Sequence, residues 1–390
     1  MSDIIKKKPL EVFMNIKSFI SENVESMYKT LYELCHIPAP SHHEEKRAEY
    51  CKIWLENIGA KGVYIDKALN TVYPINCDGK NEITVVEAHL DTVFPDTEPM
   101  PYSEADGKVF CPGVKDDTAS VVVLLHLAKF LIENGIESEK GLLLVCNSCE
   151  EGLGNLKGTR QIFEDYKGRV ANFLTFDATP ENVCNESVGS HRYEVEVTTC
   201  GGHSFGNFGN PNAIHKLSQI VNDIYSINVP EKEGTKTTYN VGGISGGTSV
   251  NTIAQSAKML CEYRSDDKDS LAYMKAEFER IFDKARCDDT GVKVTLLGER
   301  PCMDIDADKL EAFYNKIAPV IEAVIGNKVS AHSGSTDCNI PLALGVPALA
   351  VGVCRGYGVH TREEYLIKDS VIEGLEIAIK TTAAANGIKL

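Results

Sequence analysis

"ITVVEAHL" (residues 83–90) and "ASVVVLLHLAKFLIENGIESEKGLLLVCNS" (residues 119–148) contain the pattern that decides the fold. The first stretch and the last eight residues of the second are short, nearly continuous apolar runs, which are typical of strands buried on both faces. The apolar run that starts at Ala119 is long enough for a helix, and Gly135 ends it. Strand, helix and strand in this order predict parallel strands joined by a helical crossover.

The same alternation extends on both sides of this unit. Helices are predicted at 11–35, 43–58, 308–325 and from about 367, a helix at "LKGTRQIFEDY", and strands at "ANFLTFDA" and "VPALAVGV". We therefore expect an α/β fold in which a mixed, largely parallel sheet lies between helices.

The pattern changes near residue 188. "RYEVEVTT" alternates with period two, and the elements that follow are a helix, two strands, a helix and the strand "VKVTLLGE". This β-α-β-β-α-β order is that of a ferredoxin-like unit. We expect a discontinuous catalytic domain, residues 1–187 and 302–390, and an inserted ferredoxin-like α+β lid domain, residues 188–301.

Composition excludes several classes of function. A formal charge of −16 over 390 residues argues against nucleic acid or an anionic membrane surface as a partner. No apolar run approaches the roughly 20 residues of a membrane span, and "MSDIIKKKPLEVF" lacks the apolar core of a secretory signal. Thirteen scattered cysteines favour reduced thiols and a cytoplasmic location. Cys146 and Cys149 form a lone C-x-x-C pair, for which burial in a strand is a simpler explanation than redox or metal chemistry.

Acidic and imidazole side chains follow the predicted strands. The set is His89 and Asp91, Asp116 and Asp117, Glu150 and Glu151, Asp177, and His360. Each of these pairs or single residues, taken alone, has an ordinary explanation, such as a surface ion pair or a helix N-cap. Ligands of an open α/β sheet bind at the carboxyl ends of its strands, so five such groups at one edge indicate a common site. Two imidazoles with several carboxylates suit a borderline metal such as zinc.

Eight motifs follow one another along the chain: "HLDTV" (89–93), "PGVKDDTAS" (112–120), "CEEGLG" (149–154), "FDATPE" (176–181), "GGHSFGNFGNPNAI" (201–214), "GGTSVNTIAQSAKMLCEYRSDD" (246–267), "HSGSTDCNIPLALGVPALAVG" (332–352) and "GVHTREEYL" (358–366). These motifs resemble those of the dinuclear zinc peptidases and deacylases, the family of peptidase T, acetylornithine deacetylase, succinyl-diaminopimelate desuccinylase and aminoacylase. They cover nearly the whole chain and look closest to peptidase T-like members. Thr118 and Ala119 replace the Lys or Met and Gly that many members have after the aspartate pair.

The resemblance implies two divalent metal ions per chain, with zinc expected and cobalt or manganese as alternatives. His89 and Asp177 would bind one ion, Glu151 and His360 the other, and Asp116 both. Asp91 would accept the free imidazole N–H of His89. The peptide bond between Asp116 and Asp117 resembles one that is cis in the family.

The adjacent glutamates would divide two tasks. Glu151 would bind metal, whereas Glu150 would act as the general base that activates water and returns the proton to the leaving amine. We expect the turn at "EGLG" to let the two side chains diverge.

The resemblance also assigns residues to the substrate. Asn251 and Arg264 would hold the end of the substrate remote from the metals, and Ser335 and Thr336 would also bind substrate. For Arg264 the alternative is a surface pair with Asp266 or Asp267. His203, in a glycine-rich turn, would donate a hydrogen bond to the developing oxyanion, often from the other subunit of a homodimer formed through the lid domains.

These observations predict a metal-dependent amide hydrolase that removes the N-terminal residue of short peptides, as an aminopeptidase, dipeptidase or tripeptidase. The first alternative is an N-acyl amino acid deacylase with the same metals. The second is a catalytically inactive binding protein on the same scaffold, against which the intact Glu150 and the complete ligand set argue.

Overall fold

The computed structural model describes residues 9–287 and 289–390. The start "MSDIIKKK", on which our expectation of no secretory signal rests in part, lies outside these residues. The described helices are α1 (Pro9–Cys35), α2 (Glu45–Asn57), α3 (Ala119–Glu133), α4 (Lys157–Asp165), α5 (Ala213–Ile224), α6 (Lys268–Ala285), α7 (Ala307–Ile325), α8 (Asn339–Ala343) and α9 (Ser370–Asn386).

The described strands are β1 (Tyr64–Ile65), β2 (Thr71–Ile75), β3 (Ile83–His89), β4 (Ser103–Ala105), β5 (Lys108–Phe110), β6 (Gly141–Asn147), β7 (Val170–Thr175), β8 (Asn182–Ser187), β9 (Gly189–Thr198), β10 (Gly202–His203), β11 (Thr237–Gly246), β12 (Thr252–Ile253), β13 (Ser256–Ser265), β14 (Gly291–Arg300), β15 (Ser330–Gly334), β16 (Ala348–Val351), β17 (Gly356–Tyr357) and β18 (Tyr365–Ile367). The chain divides into two compact units. The smaller unit runs from Ser187 to Asp304, and the larger unit contains the chain before and after it.

The larger unit is built on an eight-stranded sheet in the order β1-β2-β6-β3-β7-β16-β8-β15. Its centre is parallel, because β3 pairs in parallel with both β6 and β7, and β7 pairs in parallel with β16. Strands β2 and β8 run antiparallel to their neighbours. The prediction of a mixed, largely parallel sheet is confirmed.

Burial explains why the two quoted stretches form this core. Every residue of β3 and of β6 is buried, as expected for strands covered on both faces. Helix α3 is apolar around nearly its whole circumference and packs against α1 and α9 as well as against β3. The crossover from β3 through α3 to β6 therefore carries the carboxyl ends of both strands to one edge of the sheet.

The smaller unit contains an antiparallel sheet in the order β11-β13-β9-β14. Along β13, buried residues alternate with more exposed ones, and the buried face packs against α5 and α6. The β-α-β-β-α-β element order predicted from the sequence is present, in β9, α5, β11, β13, α6 and β14.

Several short elements were not predicted. They are the β1–β2 hairpin, the β10–β12 pair and a small sheet in the order β17-β18-β5-β4, whose strands have two or three residues each. Such short strands contain too few residues for a periodic pattern to be visible. None of the helices in the described part of the chain has the length and apolar character needed to cross a membrane.

Candidate active site

Three groups of candidate residues follow parallel strands of the main sheet, as predicted. His89 is the last residue of β3, Glu150 and Glu151 follow β6, and Asp177 follows β7. The prediction of five strand ends was wrong for the other two groups. Asp116 lies in the turn Val114–Thr118 that leads into α3, and His360 lies in the loop between β17 and β18 of the small sheet.

The larger unit nevertheless brings all of the predicted metal ligands together. The candidate ligands form three sets, and within each set the donor atoms lie within 4.8 Å of one another. The sets are His89 with Asp116 and Asp177, His89 with Glu150 and Glu151, and Asp116 with Glu151 and His360. The sets share His89, Asp116 and Glu151 and therefore form one continuous cluster. The peptide bond between Asp116 and Asp117 is cis, as predicted.

Asp116 stands between the two histidines. Its Oδ1 lies 3.0 Å from Nε2 of His89, and its Oδ2 lies 3.1 Å from Nε2 of His360. The same Nε2 of His360 is 3.1 Å from Oε1 of Glu151. One carboxylate thus directs each of its oxygens toward a different imidazole, which is the arrangement needed to serve two adjacent cation sites.

The charges of this cluster favour cations. Asp116 and Glu151 accept hydrogen bonds from the His360 imidazole and raise its pKa to about 10. Burial opposes protonation of His89, but its contacts with Asp116 and Asp91 outweigh burial and raise its pKa well above the usual value. Burial would likewise raise the pKa of Asp116, but the two histidines hold it below its usual range. Imidazole nitrogens and carboxylate oxygens in an acid-rich, largely buried cluster fit divalent ions of the zinc type.

The partner of His89 differs from the predicted one. Nδ1 of His89 lies 2.9 Å from the backbone carbonyl oxygen of Asp91, whereas the Asp91 carboxylate is 3.5 Å away. The carbonyl can only accept, so Nδ1 carries a proton, and Nε2, the nitrogen that faces Asp116, is the one that would bind a metal ion. The tautomer is therefore the one that a metal ligand needs, although the backbone of Asp91 rather than its carboxylate contributes the shorter bond.

The carboxylate of Asp91 instead holds the glutamate turn. Oδ1 accepts the backbone N–H of Glu150 at 2.9 Å, and Oδ2 accepts the N–H of Glu151 at 3.0 Å and the hydroxyl of Ser41 at 2.6 Å. Cys149, just before the pair, has φ of 59°, so the regular alternation of a strand ends there. The expected divergence of the two glutamates was wrong, because both carboxylates reach the same cluster and approach each other within 4.8 Å.

Three further buried residues position these turns and were missed in the sequence. Oε1 of Glu44 accepts the N–H of Cys149 at 3.0 Å. Glu364 accepts three backbone N–H groups of the turn that contains Asp116. Nη1 of Arg47 donates to the carbonyl oxygen of Leu90 at 2.7 Å. A polar residue that is buried only by contacts with distant parts of the chain has no local sequence signature, apart from the position of Glu364 inside the motif "GVHTREEYL".

His203 lies in the smaller unit, as the exposed last residue of β10. The backbone N–H groups of Phe205 and Gly206 each lie 3.2 Å from its Nδ1. Nδ1 therefore accepts, and the proton resides on Nε2, which is then a hydrogen-bond donor. The N–H of Ser204 donates to the carbonyl oxygen of Asn251 at 2.9 Å, so the loop that contains Asn251 is attached to that of His203.

The other predicted substrate residues have local partners. Nε and Nη2 of Arg264 donate to the two carboxylate oxygens of Glu262, at 2.9 and 3.0 Å, so neither Asp266 nor Asp267 is its partner. Oγ1 of Thr336 accepts the N–H of Cys338 at 3.2 Å at the start of α8. Ser335 is half-buried beside it.

Comparison with known proteins identifies the family. Residues 85–384 match the model of the peptidase family M20/M25/M40. The chain belongs to this family. It is therefore a hydrolase of peptide or N-acyl amide bonds, and the alternative of an inactive binding protein loses its basis.

Curated relatives and solved structures include both kinds of M20 enzyme. Succinyl-diaminopimelate desuccinylase of Corynebacterium glutamicum is 26% identical over 339 residues, which are 85% of this chain and 89% of that protein. The aminopeptidase PepT of Bacillus cereus has a TM-score of 0.70 at 17% identity and covers 93% of this chain and 99% of its own. The YXEP protein of Bacillus subtilis, a dinuclear metal-binding M20 peptidase, has a TM-score of 0.63 at 15% identity, with 94% and 98% covered.

Proposed function

We propose that this M20 protein removes the N-terminal residue of short peptides, as an aminopeptidase, dipeptidase or tripeptidase that uses two divalent metal ions. The observation that carries the proposal is the position of Asp116, whose two carboxylate oxygens face His89 and His360. A carboxylate in this position can bridge two ions, and dinuclear sites are a common means of hydrolysing amide bonds.

The chain's own residues divide into two ligand sets. His89 and Asp177 would hold one ion and Glu151 and His360 the other, with Asp116 between them. Zinc suits these ligands best, with cobalt or manganese as alternatives. When bound, the two ions polarise the scissile carbonyl and make water a stronger acid.

Glu150 is the general base in this proposal. Its backbone N–H is anchored to Asp91, so its carboxylate is held in the cluster beside His89 and Glu151. It takes a proton from the attacking water and returns it to the leaving amine. Since Glu151 is engaged as a ligand, one of the two adjacent carboxylates remains available for proton transfer.

The smaller unit would supply substrate contacts and the dimer interface, in the role of a lid domain. His203 presents an Nε2–H donor that suits a developing oxyanion. Asn251 and Arg264 would bind the substrate's far end, with Ser335 and Thr336 contributing from the larger unit. No strand of the described chain pairs with the outer edge of β11, so a second copy could add there to form a homodimer.

The second candidate function is deacylation of an N-acyl amino acid, supported by the similarity to the desuccinylase. The same ions, Glu150 and His203 would act on that bond, and only the pocket around the acyl group would differ. We further propose a cytoplasmic location, since all thirteen cysteines, each within the described residues, are free thiols.

The test is a hydrolysis screen on zinc-loaded protein. Free-amino dipeptides and tripeptides are compared with N-acetyl and N-succinyl amino acids, each with and without prior removal of metal by a chelator. Peptide hydrolysis that is lost on chelation and restored by zinc, cobalt or manganese is expected. Hydrolysis of the acyl substrates alone would select the deacylase, and an active preparation without any bound transition metal would overturn the dinuclear proposal.

A further inference from the structure

Glu364 lies fully inside the larger unit, at 1% exposure, four residues after His360. Its carboxylate accepts three backbone N–H groups: Oε2 accepts that of Gly113 at 2.8 Å, and Oε1 accepts those of Lys115 at 2.8 Å and Asp116 at 3.0 Å. This is the densest set of hydrogen bonds to the turn that presents Asp116.

That turn needs an external acceptor because of its backbone conformation. Gly113 has φ of 77°, and Asp116 and Asp117 have φ and ψ values outside the helical region. N–H groups at such a helix start have no carbonyl of their own helix to bind. A buried N–H group without an acceptor destabilises the fold, so the turn depends on Glu364 to adopt this shape.

Glu364 also belongs to the second ligand-bearing segment. It follows His360 in the same loop, directly before β18, and β18 pairs with β5, the strand that precedes the Asp116 turn. One side chain thus connects the loop of His360 to the backbone of Asp116. The 3.1 Å approach of His360 Nε2 to Asp116 Oδ2 is made between these two connected segments.

We propose that Glu364 is a positioning residue that sets the distance between Asp116 and His360 and so controls how tightly the centre retains its metal ions. This inference rests on the proposed metal-binding function. Replacing a residue that orients a metal ligand through hydrogen bonds typically lowers metal affinity by about 10–100-fold. The role requires two acceptor oxygens, because each carboxylate oxygen of Glu364 accepts at least one of the three backbone N–H groups.

Glutamine distinguishes this role from simple packing. Glu364→Gln keeps the volume of the side chain but replaces one acceptor oxygen by an NH2 group, which would face a backbone N–H donor. A role in filling space predicts that Gln behaves like the wild type and that only Glu364→Ala is harmful. A role in accepting hydrogen bonds predicts that Gln and Ala are both harmful.

The experiment measures zinc retention of the folded, zinc-loaded protein against graded concentrations of a chelator. Asn386→Ala serves as the matched control, since Asn386 is a buried residue that donates to the carbonyl oxygen of Gly141 at 2.9 Å, at the opposite end of β6 from the glutamates. Circular dichroism defines a temperature at which all four proteins are folded. We expect Glu364→Gln and Glu364→Ala to bind at least one zinc ion about 10–100-fold more weakly, and the control to bind both ions as the wild type does.

Wild-type zinc affinity in Glu364→Gln would overturn the proposal, as would an equal loss in the Asn386→Ala control. The result also distinguishes a failure of this inference from a failure of the proposed dinuclear metal centre. If the wild type itself retains no zinc, the dinuclear centre is wrong, whereas if the wild type and Glu364→Gln both retain two ions equally well, only the role of Glu364 is wrong.

Discussion

Oδ1 of Asp91 accepts the backbone N–H of Glu150 at a distance of 2.9 Å. The bond joins the end of β3, where Asp91 follows His89, to the turn after β6, where the proposed general base lies. Asp91 is fully buried, and its other oxygen accepts from Glu151 and Ser41. The position of the proposed general base, Glu150, therefore depends on Asp91, which we had expected to act only on His89.

Asp91→Asn should lower kcat by about 10–100-fold and weaken retention of the metal ion that Glu151 would hold. The amide has one acceptor oxygen instead of two, so it cannot receive both glutamate N–H groups and the turn must shift. Turnover and metal content of the same preparation are the measurements. Ser41→Ala is the control, since it removes one hydroxyl donor but leaves both acceptor oxygens of Asp91 for the glutamate N–H groups, and it should cost only a few-fold. Wild-type turnover in Asp91→Asn would show that the position of Glu150 does not depend on this carboxylate.

Glu150→Gln and Glu151→Gln should differ in kind. The first should keep about two ions per chain and lower turnover by about 10²–10⁴, because the amide cannot take up a proton. The second should lower metal occupancy, because Glu151 reaches both Asp116 and His360. Elemental analysis and turnover on the same samples separate the two. Equal metal loss in both variants would show that the roles are wrongly divided.

The sequence predicted those parts of the molecule that have a local pattern. Buried strands β3 and β6 are apolar throughout, and β13 alternates, so both sheets were recognisable. The predicted ligands lie within short motifs, and the fold brings all of them into one cluster. Glu44 and Arg47 were not predicted, because each acts on segments far away in the chain: Glu44 on Cys149, 105 residues later, and Arg47 on Leu90, 43 residues later.

The errors in the site have a similar cause. The turn at "EGLG" was expected to let Glu150 and Glu151 diverge, but β6 ends at Asn147, and Cys149, in a left-handed conformation, turns the chain before both glutamates. A single residue with φ of 59° is not visible in composition or period. Likewise, nothing near Asp91 indicates that its backbone, rather than its carboxylate, makes the shorter bond to His89.

Arg264→Lys should lose much of its kcat/KM on substrates with a free C-terminal carboxylate. The guanidinium already makes a two-pronged contact with the carboxylate of Glu262, so its geometry suits bidentate recognition, which an ammonium cannot reproduce. Glu262→Gln, which removes the charge of the resident partner, should not mimic this loss. Amidation of the substrate's C-terminus should abolish the difference between wild type and variant. A difference that persists on the amide would place the carboxylate anchor elsewhere.

His126 should make the larger unit less stable as the pH falls. It is buried in α3, where Nδ1 lies 2.9 Å from the carbonyl oxygen of Val122, and burial lowers the pKa of His126 to about 4. The unfolded chain takes up the proton near the usual pKa of 6.5, so stability is complete above that pH and falls between 6.5 and 4. At pH 5 the free energy of unfolding should be about 2 kcal/mol lower than above pH 6.5, because it falls by about 1.4 kcal/mol per pH unit between the two pKa values.

The measurement is urea unfolding at pH 7.5 and pH 5, followed through the fluorescence of Trp54, the only tryptophan, whose ring centroid is 5.0 Å from that of His126. His126→Phe keeps an aromatic ring beside Trp54 but cannot be protonated. Between pH 7.5 and pH 5, the free energy of unfolding of His126→Phe should fall by about 2 kcal/mol less than that of the wild type. An identical pH dependence in both proteins would contradict the assignment.

His203→Ala should lower kcat by about 10²–10³ and leave metal content unchanged, as expected for loss of one oxyanion donor. The imidazole is exposed within its own chain, and its Nε2–H is available because Nδ1 is occupied by the N–H groups of Phe205 and Gly206. If the donor acts across a homodimer, each active site combines Glu150 of one subunit with His203 of the other.

Mixing equal amounts of inactive His203→Ala and inactive Glu150→Gln chains tests this arrangement. Half of the randomly formed dimers contain one chain of each kind, and each of these has one complete site, so about a quarter of wild-type activity should return. Sedimentation and mass analysis of tagged chains establish that the protein is dimeric and that subunits exchange. Exchange without recovery of activity would mean that His203 serves the site of its own chain or has no part in catalysis.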